Sequence, residues 1–80
     1  MVEVLAVRRA LWFAMELGFQ RLIVEGDSEV IINSIKDGNM IQSAFGHILQ
    51  DISFLCYFFS HVSFQVSNIL RGKVIVWLIN

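Results

Sequence analysis

The sequence predicts a small α/β domain, and three observations support this fold class. Apolar spacing alternates between the helical period and strand-like runs along the 80 residues. Hydrophobic residues make up 56% of the chain and charged residues 16%, which excludes disorder, because disordered chains are poor in apolar and rich in charged side chains. The length suits one domain, since a typical domain has ~100 residues or more.

The first predicted element is a helix over residues 3–17. Its apolar side chains recur at helical spacing and are Val4, Val7, Leu11 and Met15. Gly18 follows, where a left-handed C-terminal cap belongs, so the helix is expected to end there.

A strand over residues 20–25 is expected directly after this helix. Residues 22–24 form a compact apolar run bounded by Gly26. Such a run is typical of a strand that is covered on both faces within a parallel sheet.

Two more helices and a second strand are predicted next. Asp27 and Ser28 supply N-cap chemistry for a helix over residues 29–36. A polar loop through Ser43 leads to a third helix, whose apolar residues at helical spacing are Phe45, Ile48, Leu49, Ile52, Leu55, Cys56 and Phe59. Residues 62–66 alternate between apolar and polar, which predicts a strand with one wetter face.

The two predicted strands are joined by a long helical crossover and should therefore be parallel. The apolar segment from Lys73 to Asn80 is expected to form a final helix, which gives the order helix, strand, helix, helix, strand, helix. Two parallel strands alone do not form a stable sheet, since about three strands with a covered face are needed. The hydrophobic content of 56% is higher than usual for a soluble domain, and we attribute it to faces that lack their covering strands.

Two carboxylates are candidate site residues on geometric grounds. A helix of about 15 residues is ~22 Å long, and a strand of about six residues is ~20 Å long. The tight turn between them brings Glu3 near Asp27, at the sheet edge where open α/β sheets bind ligands. Two acids there could share Mg²⁺. The alternative is structural, with Asp27 capping the second helix and Glu3 facing a helix dipole, and spacing alone favours it.

Several motifs, in this order and spacing, resemble a known family. They are EVLAVRRAL (residues 3–11), ELGF (16–19), IVEGDS (23–28), IINSI (31–35), the helix that begins near Ile48, and HVSF (61–64). The sequence resembles the ribonuclease H-like family that is abundant in plants and related to the RNase H domains of reverse transcriptases. The resemblance covers about residues 2–65 and is weak over residues 66–80.

The resemblance implies that residues 1–80 form a partial RNase H-like domain. It implies nucleic-acid binding and hydrolysis of the RNA strand of an RNA–DNA hybrid, with two Mg²⁺ ions activating water and stabilising the leaving oxygen. The second and third metal-ligating carboxylates of the family fall on Glu3 and Asp27. These two residues are thus the expected catalytic and metal-binding residues. The resemblance therefore reverses the preference, based on spacing alone, for purely structural roles of Glu3 and Asp27.

The sequence also departs from the family pattern. The first catalytic Asp of the family and three antiparallel strands would lie upstream of Met1, so the chain is expected to be N-terminally truncated. Val76 stands where the family has its last acid or histidine. With two of four metal-binding side chains absent, the chain is expected to bind Mg²⁺ weakly and to be catalytically incomplete.

Two other functions are left open. One is a non-catalytic interaction module that self-associates through an exposed sheet edge, and the other is a truncated fragment without a function.

Charge and targeting signals bear on the partners of the chain. The net charge of −1 shows no excess of basic residues of the kind that nucleic-acid-binding proteins usually have. Neither a signal peptide nor an apolar span of ~20 residues is recognisable, so the chain is expected to be intracellular with no membrane partner.

The remaining candidate residues are given structural roles. His47 and His61 have no acid or cysteine at ligand spacing. Cys56 is expected to pack as a small hydrophobe. Three helical aromatic residues that could stack nucleobases are instead expected in the core or on surfaces that await the missing strands, namely Trp12, Phe54 and Phe58.

Overall fold

The computed structural model describes residues 2–37 and 46–79, which form three helices and three strands. In chain order these are α1 (Val2–Glu16), β1 (Arg21–Gly26), α2 (Glu29–Asp37), α3 (Gly46–Cys56), β2 (His61–Val66) and β3 (Val74–Ile79). The predicted α/β class and the first five elements are confirmed. Helix α3 ends before Phe59, which the sequence placed in it, and Ser43 and Phe45 lie outside the described residues.

The central strand of the sheet is β1, with the strand order β2-β1-β3. β1 and β2 pair in parallel along their whole length, with Arg21 opposite His61. This confirms the parallel pair expected from the helical crossover. β3 pairs with the other side of β1 in the antiparallel sense, with Arg21 opposite Ile79.

The C-terminal segment forms strand β3, so the prediction of a final helix, and with it of a purely parallel sheet, is wrong. A turn precedes the strand, in which Arg71 and Gly72 have φ values of 49° and 80°. The segment itself reads VIVWLI, and β-branched and aromatic residues favour a strand. One edge of β1 offers it unpaired backbone groups, so β3 supplies a third strand from within the chain.

The core lies between the helices and one face of the sheet. Leu22 and Val24 of β1 are fully buried, whereas Ile23 and Glu25 on the other face are only partly buried. The prediction that this strand is covered on both faces is therefore wrong. The helices contribute the rest of the buried cluster: Val4, Val7, Leu11, Ala14, Ile35, Leu49, Ile52 and Leu55, with Phe59 after α3.

Membrane-spanning helices are not found in the part of the chain that the structure describes. None of its helices combines the length and the apolar character that a bilayer crossing requires.

Candidate functional site

Glu3 places a buried carboxylate at the C-terminal end of β1. The residue lies in the first turn of α1 and is 8% exposed. Its Oε1 accepts a hydrogen bond from the backbone N–H of Ser28, with 3.1 Å between the two atoms. A buried polar group requires such a partner, so this contact fixes the carboxylate against the segment that joins β1 to α2.

Gly26 permits the close approach of this carboxylate. A Cβ atom at Gly26 would lie 2.5 Å from Oε1 of Glu3 and 2.9 Å from Cδ1 of Ile32, both closer than packing allows. Glu3 therefore contacts the chain on both sides of Asp27, at Gly26 and at Ser28. The structure brings the two predicted site residues to the same end of β1.

Asp27 is tied to the turn before β3. Its Oδ2 accepts a hydrogen bond from the backbone N–H of Gly72 at 2.7 Å. A second contact joins the same two segments, because Ser67 N–H donates to the carbonyl oxygen of Gly26 at 2.9 Å. Asp27 itself is half-buried, so its carboxylate is both oriented by the turn and accessible from solvent.

Ser28, rather than Asp27, caps helix α2. Its Oγ accepts a hydrogen bond from the N–H of Ile31 at 3.3 Å, which is the contact of an N-cap residue with the third helical position. The Asp27 carboxylate is directed to Gly72 instead. The capping part of the structural alternative thus applies to Ser28 and not to Asp27. The other part is confirmed, because the Glu3 carboxylate faces the N-terminal end of α2 at Ser28.

The chemistry of the donors at this end of β1 is of the kind that Mg²⁺ prefers. Glu3 and Asp27 each use one carboxylate oxygen for a backbone amide, and no hydrogen bond from a described residue reaches the other oxygen of either. Mg²⁺ is usually held by one or two carboxylates, with waters and substrate phosphates completing its shell. Within residues 2–37 and 46–79, no three His, Cys, Asp or Glu side chains converge, so the described chain does not assemble ligands for a pair of ions.

Two cations flank the amide that holds Asp27. Arg71 and Lys73 are exposed on either side of Gly72. Their position in the sequence puts positive charge next to the residue that contacts Asp27. Sequence reasoning missed Gly72 as a site residue, because it is 45 positions from Asp27 and only the turn before β3 brings the two together.

Val76, where the sequence resemblance implies an acid or histidine, is part of strand β3. It lies opposite Val24 in the sheet and packs against the core. A polar side chain there would face apolar neighbours and not the end of β1.

The other candidates named from the sequence are apart from this site. His47 and His61 are exposed, on α3 and at the start of β2. Cys56 packs against the core, and burial raises the pKa of its thiol, as expected of a small hydrophobe. Trp12, Phe54 and Phe58 are at least half exposed. The expectation that they lie in the core is therefore wrong, and they lie on the surface.

Comparison with known proteins identifies a family. A protein family described as reverse transcriptase-like matches residues 1–75. Searches among curated proteins and among solved structures found no match. The matched segment includes Glu3, Asp27 and both parallel strands, and it extends beyond residue 65, where the sequence resemblance becomes weak. This 80-residue chain therefore belongs to the reverse transcriptase-like family and is an RNase H-like domain.

Proposed function

We propose that this chain binds nucleic acid of the RNA–DNA hybrid type, with Glu3 and Asp27 holding one Mg²⁺ ion against a backbone phosphate. The observation that supports the proposal is that both side chains lie at the C-terminal end of β1, where Glu3 contacts the residues on either side of Asp27. The class of ligand is inferred from family membership, because the resemblance to RNase H-like domains implies nucleic-acid binding.

The chain's own residues would orient the two carboxylates before any ion binds. Ser28 N–H holds Oε1 of Glu3, and Gly72 N–H holds Oδ2 of Asp27, so both free oxygens are presented by fixed side chains. Preorganised ligands of this kind lose little conformational entropy on binding. When bound, Mg²⁺ would neutralise charge between the carboxylates and the phosphate.

Arg71 and Lys73 would add phosphate contacts next to this ion. Both side chains are exposed and lie within one residue of the Asp27 contact at Gly72. Basic side chains at phosphates give affinity without sequence preference. We expect binding that weakens with salt and depends little on base sequence.

Hydrolysis by this chain alone is not part of the proposal. The two-metal mechanism needs carboxylates for two ions, and no group of three or more possible ligands converges among the described residues. We therefore expect Mg²⁺-dependent binding of a hybrid without cleavage. Clear Mg²⁺-dependent cleavage that is lost in Asp27→Asn would overturn this part of the proposal.

Fluorescence anisotropy with a labelled RNA–DNA hybrid tests the binding. The measurement is made in Mg²⁺ and in a chelator, on wild type, on Asp27→Asn, and on Asp51→Asn as a matched control on α3. We expect Mg²⁺ to strengthen binding of wild type and of Asp51→Asn by about tenfold, and to have no effect on Asp27→Asn. An equal Mg²⁺ effect in all three proteins would refute the site.

A second candidate function is that of an interaction module. The outer edge of β3 has no strand partner in the described sheet, and the strand carries no charged residue. Such an edge can accept an extended segment of another chain by strand addition. Ile75→Lys would put a charge on this edge, and a loss of association in size-exclusion chromatography would support the second candidate.

A further inference from the structure

The helical side of the molecule carries an apolar surface that the site at the end of β1 does not explain. It consists of Leu5, Trp12, Phe13, Phe54 and Phe58, which are 41–64% exposed and line one groove between α1 and α3. We refer to these five residues as the α1–α3 surface. Monomeric proteins rarely expose contiguous apolar patches of more than a few hundred Å², and larger ones mark interaction sites.

The size of this surface suits a protein partner. Four of its five residues are aromatic, and an aromatic side chain offers roughly 150–250 Å². At about half exposure, these residues leave on the order of 400 Å² of apolar area. A standard interface buries about 800 Å² on each partner, with an apolar centre and a polar rim. The α1–α3 surface therefore has the area of such a centre.

The groove is already shaped in the single chain. Arg8 on α1 and Asp51 on α3 form an ion pair with 2.9 Å between the charged atoms, and both line the groove. This pair links the two helices and neutralises the charges between them. Phe54 and Phe58 pack edge to face with 5.7 Å between ring centroids, which orients the two rings on α3.

The charges on α1 show which partner this surface fits. Arg9 and Glu16 are exposed, and at 100° per residue both fall on the same stripe as Trp12 and Phe13. If two α1 helices cross antiparallel about a two-fold axis between Trp12 and Phe13, Arg9 of each copy faces Glu16 of the other. The aromatic centre is then flanked by two opposite-charge pairs. A surface that complements itself in this way is the requirement for an isologous dimer.

We propose that the α1–α3 surface binds a second copy of this chain in a two-fold dimer with antiparallel α1 helices. The proposal concerns the helical face and is independent of the carboxylate site and of the β3 edge. An anionic lipid surface fits less well, because Glu16 and Asp51 lie among the aromatic residues and the net charge is −1.

Sedimentation velocity over about 1 to 100 µM tests the dimer, and the chain offers a matched pair of variants. Trp12 and Trp77 are 54% and 52% exposed, and each donates its indole N–H to a glutamate, but Trp77 lies on β3. Wild type is expected to reach twice the mass of one chain. Trp12→Ala should weaken the dimer by about 30-fold, as for an interface hot spot, and Trp77→Ala should leave it unchanged.

Charge reversal distinguishes a lost contact from misfolding, because a second reversal can restore the dimer only if the two charges face each other. Arg9→Glu alone and Glu16→Arg alone should each weaken the dimer by about tenfold, because each places like charges opposite one another at both ends of the interface. The double variant should return to within about threefold of wild type.

Three results would overturn the proposal. One is a monomer at every concentration. Another is dissociation by Trp77→Ala with Trp12→Ala unaffected, which would place the contact at the sheet. The third is a double charge variant that is no stronger than either single variant.

Discussion

The carboxylate of Glu3 and the backbone N–H of Ser28 are joined by a hydrogen bond of 3.1 Å, which ties the first turn of α1 to the start of α2. The same oxygen is the atom that a Cβ at Gly26 would meet first. Glu3 thus has a structural contact at the very place where a metal-binding role is proposed. A useful variant must separate the two roles.

Glu3→Ala and Glu3→Gln measure the structural role by itself. Glu3→Ala removes the acceptor of the Ser28 N–H and is expected to lower the free energy of unfolding by about 1–3 kcal/mol. Glu3→Gln keeps an amide oxygen for that N–H and should lose less than about 1 kcal/mol. Urea denaturation followed by circular dichroism measures both. If both variants lost the same free energy of unfolding, the hydrogen bond from Ser28 would not be the way in which Glu3 stabilises the fold.

Gly26→Ala is expected to destabilise the fold by about 1–3 kcal/mol, because the added methyl group meets Glu3 and Ile32. The matched test is a double-mutant cycle with Glu3→Ala, which removes the nearer of the two clashes. We expect the cost of Gly26→Ala to be smaller in the Glu3→Ala background, with a coupling of about 1 kcal/mol. Strict additivity of the two changes would contradict the close approach of Glu3 to Gly26.

The thiol of Cys56 should make stability depend on pH in the alkaline range. Burial raises the pKa of this thiol from its ordinary value of 9.0. Above that pH the thiol ionises in the unfolded chain while it stays protonated in the folded chain, so ionisation favours unfolding. Below it the thiol is protonated in both states and has no effect.

The measurement for Cys56 is the free energy of unfolding of wild type and of Cys56→Ala as a function of pH. The difference between the two proteins should be constant below about pH 9, and wild type should lose stability relative to the variant above it. A constant difference across the alkaline range would show that the thiol is not held in its protonated form.

The local elements were predictable from the sequence, because their signals are local. Apolar spacing gives α1, and Gly18, with a φ of 82°, ends it. Ser28 gives the start of α2 through its side-chain contact with Ile31. The parallel pairing of β1 and β2 follows from the long crossover between them.

Strand β3 was not predictable in this way. A short apolar run such as VIVWLI has no periodicity that distinguishes a strand from a buried helix. Its conformation is decided by the free edge of β1, with Val76 opposite Val24, more than fifty positions earlier in the chain. Tertiary pairing of this kind overrides the local signal.

The candidate site was predictable in part for the same reason. The matched lengths of α1 and β1 are enough to place Glu3 near Asp27, and the structure brings both to the end of β1. The contact of Asp27 with Gly72 depends on the turn at Arg71 and Gly72, whose positive φ values no local pattern specified. The contact that orients Asp27 thus depends on the position of β3.

Manganese titration followed by NMR is the most direct test of the central claim, that Glu3 and Asp27 hold a divalent cation. Mn²⁺ accepts the same oxygen ligands as Mg²⁺ and broadens the signals of nearby amides. In the ¹⁵N-labelled chain, substoichiometric Mn²⁺ should broaden the amides of Gly26, Asp27, Ser28 and Gly72 first. The same selective broadening should persist in Asp51→Asn and disappear in Asp27→Asn. Broadening that begins elsewhere, or that Asp27→Asn leaves unchanged, would contradict the account.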